Sequence, residues 1–130
     1  MGAPDQEGVS VLLIARFPEA PPVAEAKRAL ELLLAQPGCR RGLFTRSTET
    51  EAWVLTVEFE SISAYRRALS PFEVRTHVIP LLARAETAEP AAYEIVLEAD
   101  SDGVREHTSL LAADAATVRL GEASGPTTAR

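Results

Sequence analysis

The chain has 130 residues, 46% hydrophobic and 25% charged, which fits one ordinary globular domain with a core large enough to fold unaided. Its net charge of −6 argues against nucleic acid or an anionic membrane surface as the main partner. A single cysteine, Cys39, excludes an internal disulfide and fits a reducing cytoplasm. The opening MGAPDQEGVS has neither the basic region nor the apolar run of a secretory leader. Val11 to Ala15, the longest strongly apolar stretch, is far too short to span a bilayer. One lysine against 12 arginines suggests a GC-rich bacterial source.

Residues 1–8 read as an N-terminal arm. VSVLLIARF (9–17) is a strand by length and β-branched content, and both of its faces carry apolar side chains, so it is expected in the middle of a sheet. Pro21-Pro22 opens a helix in which Val23, Ala26, Leu30 and Leu33 form one apolar stripe, and Pro37-Gly38 ends it. CRRGLFTRS (39–47), charged and glycine-containing, suits an edge strand. After a turn at Thr48–Glu51, WVLTVEFE (53–60) alternates, with Trp53, Leu55, Val57 and Phe59 on one face and Val54, Thr56 and Glu58 on the other.

Ser61 or Ser63 is a suitable N-cap for a short helix running through Leu69. Ser70-Pro71 restarts it, with the serine as cap and the proline at the first helical position. Pro80 is expected to end or kink this second piece near Ile79. AAYEIVLE (91–98) supplies a fourth strand. The order β-α-β-β-α-β is the split βαβ of ferredoxin-like folds, an α+β class with a four-stranded antiparallel sheet and its helices on one face. The first and third strands, the most apolar, are then central. Leu12, Ile14, Val54 and Thr56 make the opposite face semi-apolar, so a second subunit is expected to cover it, sheets back to back. The domain spans 9–97. Residues 98–130 form an acidic, polar tail without aromatics, whose islands Ser109-Leu110-Leu111 and Thr117–Leu120 suit an edge strand or hairpin.

The run VEFESISAYRRALSPFEVRTHVIPLLARAETAEPAAYEIVL (57–97) resembles the antibiotic biosynthesis monooxygenase family. The features that carry the resemblance are E-F-E-S running into a helix, S-P-F-E opening the next, a histidine seven residues after Ser70, and the closing A-Y-E-I-V-L strand. The first strand and the leucine-rich helix ending in P-G-C match as well, so the resemblance covers residues 9–97. It implies a dimeric α+β barrel. Members of the family include cofactor-free oxygenases of aromatic polyketides, haem-degrading enzymes and proteins without an established substrate.

The chemistry-bearing residues are few. There is no glycine-rich phosphate loop, and one cysteine with two separated histidines offers no metal cluster. His107 lies in the polar tail beside Glu106. What remains is a pocket between helices and sheet, expected to be lined by Trp53, Leu55, Val57, Phe59 and Phe72, with His77 and Tyr65 as its polar groups; such a site suits a flat aromatic ligand. In cofactor-free oxygenation a phenol or enol is deprotonated and its anion reduces molecular oxygen directly, so a positioned base or donor is the protein's main contribution. His77 is the leading candidate. Glu73 stands at i−4 and the helix end presents its negative pole, which suits a donor or proton shuttle better than a neutral iron ligand. A surface pair between the two residues is an equally ordinary outcome, and core packing is the ordinary role of Trp53 and Phe59.

Two other readings stand beside the oxygenase. In the haem-degrading branch a histidine at the position of His77 ligates iron, but the tryptophan expected three residues before Ser70 is Arg67 here, and the first strand lacks the expected asparagine. A non-enzymatic dimer that binds a small molecule or a partner needs nothing the sequence does not have.

Overall fold

The computed structural model describes residues 9–86 and 91–109. Four strands, β1 (Val11–Phe17), β2 (Cys39–Arg46), β3 (Trp53–Phe59) and β4 (Ala91–Glu94), form one antiparallel sheet in the order β2-β3-β1-β4. The helices α1 (Val23–Leu34), α2 (Ile62–Ala68), α3 (Phe72–His77) and α4 (Ile79–Leu82) complete an α+β ferredoxin-like fold. As the sequence suggested, β1 and β3 are central and the arginine-rich β2 is an edge. Leu13 stands opposite Val57 and Ala15 opposite Leu55, so the two most apolar strands share one buried face.

That face is the core. Leu13, Phe17, Leu33, Leu55, Val57 and Phe59 have at most 1% of their surface exposed, packed with Val74, Val78, Leu81 and Leu82 from α3 and α4. In α1 the buried stripe is Ala26, Ala29 and Leu33. Val23 was expected in that stripe but is 63% exposed, because it starts the helix one turn before the first buried position. Small residues on α1 and α2 let these helices approach the sheet closely. Gly38, at φ +85°, follows the same logic: a Cβ there would stand 2.6 Å from the Cβ of Ala64.

The helical region between β3 and β4 is cut by its own side chains. Ser61 is the α2 cap, its Oγ accepting the Ala64 N–H at 3.0 Å, while Ser63 lies inside the helix. At α3 the expected serine cap is not formed. Pro71 takes the cap position without a side-chain bond, and the Ser70 hydroxyl turns back to the Arg66 carbonyl at 3.5 Å. The helical path breaks just ahead of Pro80, as expected near Ile79. The break falls at Val78, and Pro80 occupies the first turn of α4, where its missing N–H costs least; the Leu82 N–H then finds the Val78 carbonyl at 2.9 Å.

The fourth strand is shorter than expected. It stops at Glu94, and Leu97–Asp100 is instead β5, paired antiparallel with β6 (Gly103–Glu106) in a separate hairpin. The chain divides into two compact units at this point, 1–94 and 95–130. Ser101-Asp102-Gly103 is the missed turn signal. Gly103 adopts φ +128°, and the Asp102 N–H donates to Asp100 Oδ1 at 2.8 Å. Arg105 bridges Glu98 and Asp100, and His107 Nε2 lies 2.7 Å from Glu98 Oε1. The arm 1–8 and the islands from Leu110 onward lie outside the described residues.

Candidate functional site

Apolar packing first separates the expected site residues. Alternation along β3 sends Leu55, Val57 and Phe59 inward, where none retains any exposed surface. Fully buried, they form the floor of the fold rather than the open wall of a pocket. Trp53 shares their face at the start of the strand. It stacks on Phe44 with centroids 5.0 Å apart, and the Arg46 guanidinium lies 5.9 Å over its ring. Tyr65 meets the edge of Phe59 at 5.6 Å, and half-burial raises its phenol pKa, partly opposed by Arg66. Five of the seven expected residues thus belong to one cluster, three of them buried within it and Trp53 and Tyr65 at its margin.

The other two leave it. Phe72 is 77% exposed, since α3 turns Val74 and Val78 to the core and position 72 falls on the opposite side. His77, exposed, flanks the buried stripe of Val74 and Val78. Its ring opens into a cleft of about 440 Å³ between α1 and the α3–α4 segment. Ala24, Glu25 and Arg28 come from α1, Thr76 and His77 from α3, and Pro80, Leu81 and Arg84 from α4 and the residues after it. The cleft is a groove between helices, not the helix–sheet pocket expected from the sequence.

Charges organise it. Glu73 Oε1 stands 3.7 Å from His77 Nε2 and 3.6 Å from Arg28 Nη2. On the other side Arg84 Nη1 donates to Glu25 Oε1 at 2.8 Å. The Glu73–His77 pair was legible from its spacing. Arg28, Arg84 and Thr76 were missed, because only tertiary packing brings the polar side of α1 opposite α3. Among the described residues no group of histidine, cysteine and carboxylate side chains has the spacing to hold a metal ion. No described helix is long and apolar enough to cross a membrane.

The outer face of the sheet carries Leu12, Ile14, Thr56, Leu43 and Tyr93. Leu43 is 45% and Tyr93 54% exposed, with Arg41 and Glu58 paired across β2 and β3 beside them.

Neither the family models nor the curated proteins compared with the chain give a match. Solved structures do. SnoaB, a cofactor-independent oxygenase from Streptomyces nogalater, is 20% identical with a TM-score of 0.54, over 79% of this chain and 98% of that one. Rv0793 from Mycobacterium tuberculosis is 18% identical with a TM-score of 0.54, over 71% and 98%. A candidate antibiotic biosynthesis monooxygenase from Bordetella bronchiseptica is 17% identical with a TM-score of 0.51, over 66% and 94%. At such identities the likeness establishes the fold alone, and the chain shares the α+β ferredoxin-like fold of these structures.

Proposed function

We propose that the protein is a cofactor-independent monooxygenase of an aromatic or polyketide-like small molecule, working as a homodimer. The observation that carries this reading is the His77 ring on the wall of an open cleft, with Glu73 behind it. His77 Nε2 faces the Glu73 carboxylate at 3.7 Å, which leaves the second ring nitrogen for a ligand in the cleft, as a general base requires. SnoaB, of like fold, is described as a cofactor-independent oxygenase.

The chemistry balances without a cofactor. His77 takes the proton from the acidic CH₂ of an anthrone-like substrate, and the resulting enolate passes one electron to molecular oxygen. Superoxide and the carbon radical then combine to a hydroperoxide. Loss of water leaves a new carbonyl, so one oxygen atom enters the product and the other departs as water. The substrate supplies every reducing electron. The chain's contribution is to bind the ring on Ala24, Pro80 and Leu81 and to move the proton at His77. Tyr65, at the margin of the core cluster, is not among the residues lining the cleft and takes no part in the reaction in this reading.

Oxygen uptake with an anthrone or a dihydroxynaphthalene, in air and without flavin or metal, tests it. Uptake should occur and should fall by about 100-fold or more in His77→Ala, the usual weight of a positioned acid–base group. Uptake that survives the substitution removes His77 from the reaction. The second reading, a binding dimer without turnover, draws on the same cleft: its one proton-transfer candidate is a half-exposed histidine loosely held by its carboxylate. Saturable binding without oxygen consumption is its signature.

A further inference from the structure

The cleft holds more cationic hydrogen-bonding capacity than its own carboxylates occupy. Glu73 Oε1 lies 3.6 Å from Arg28 and 3.7 Å from His77, both beyond hydrogen-bond reach, so one oxygen balances two neighbours without engaging their N–H groups. An exposed pair of this kind is weak and readily exchanged. Among the described residues the Arg28 guanidinium makes no hydrogen bond. Arg84 differs. Its 2.8 Å bond to Glu25 fixes the guanidinium at the cleft while leaving most of its donors open. Beside the charged groups the lining is Ala24, Pro80 and Leu81, with Thr76 as its one uncharged polar residue.

A neutral aromatic would satisfy that apolar lining and leave the Arg28 fork unmatched. A planar carboxylate fits the fork at two points. We infer that the ligand of this cleft is an aromatic carboxylic acid, its ring on Ala24, Pro80 and Leu81 and its carboxylate on Arg28, with Arg84 as the second cation. The inference deepens the proposed function and rests on the cleft being the substrate site. It also gives Glu73 a definite part: a placeholder that keeps Arg28 and His77 in position until the ligand's carboxylate replaces it.

Calorimetric titration of the full chain under argon, with a dihydroxynaphthoic acid and the matching dihydroxynaphthalene, tests this, since the probes differ only by the carboxylate. The acid should bind at least about tenfold tighter, the scale of one added charge-assisted bond. Arg28→Gln should remove the preference, the acid losing at least about tenfold more affinity than the diol. Glu73→Gln should enlarge the preference, which a purely structural role for Glu73 would not do. Equal affinities for the two probes, or a preference that survives both Arg28→Gln and Arg84→Gln, overturn the inference. Diol binding with His77-dependent oxygen uptake but no acid preference removes this inference and leaves the oxygenase reading standing. Acid preference without uptake supports the inference and removes the oxygenase. Failure of both probes to bind overturns the two together.

Discussion

Half-burial of the Cys39 thiol, at the start of β2, pushes its pKa up to about 11, because the thiolate would lose hydration that nothing nearby replaces. Desolvation thus makes Cys39 a packed thiol rather than a nucleophile. Its linkage to stability has a definite sign. Below the ordinary value of 9.0 the thiol is protonated in both states and its contribution is complete. Between there and about 11 the unfolded chain deprotonates first, so stability falls as pH rises. The melting temperature should therefore decline through that window, and Cys39→Ala should flatten the decline. Tyr65, whose phenol is raised for the same reason, should leave a residual loss at higher pH. A Cys39→Ala protein with an unchanged alkaline profile would show that the thiol carries none of it. His77 illustrates the limit of reading at this scale. Its partner Glu73 follows from helical spacing, while Arg28 on the far side of Glu73 is 45 positions away in sequence (73 − 28) and was not legible.

Among the elements, the α2–α3–α4 segment shows how local chemistry cuts one apolar pattern into three pieces. Ser61, 3% exposed, both starts α2 and has its hydroxyl occupied by the Ala64 N–H. Ser61→Ala should cost about 1 kcal/mol, read from urea denaturation, as a lost cap does. Gly38→Ala should cost more than the roughly 1–2 kcal/mol of a left-handed residue alone, because the added Cβ also meets Ala64 at 2.6 Å. A Gly38→Ala protein as stable as the parent would mean that β2 and α2 can separate freely. The β5–β6 hairpin is the element the sequence concealed. AAYEIVLE reads as one continuous strand, yet the register with β1 ends at Glu94, and the Asp-Gly turn captures Leu97 and Glu98 into a second sheet.

At the scale of the whole molecule, the outer sheet face is the feature a single chain leaves unresolved. Leu12 and Ile14 are half-covered at its centre, and Leu43 and Tyr93 lie open at its sides. A contiguous apolar face of this kind favours association with a second copy. Light scattering should return twice the chain mass of 14.0 kDa at micromolar concentration. Ile14→Arg should return the single-chain mass without loss of helical signal. A parent protein that stays at 14.0 kDa would leave the sheet face to another role.

The sequence by itself determined the order of elements as far as β4, the central and edge strands, the buried face of β3 and the Glu73–His77 pair, because strand alternation and helical spacing are written within each element. Only the tertiary structure decided which of those faces meets a ligand. Leu55, Val57 and Phe59 share a face with Trp53, and alternation cannot tell a packed core from the lining of a pocket; close packing of α3 and α4 made it core. The cleft lies instead where the polar flanks of α1 and α3–α4 face each other. Its members, from Ala24 to Arg84, are brought together by helix packing against the sheet, a relation that no local pattern encodes.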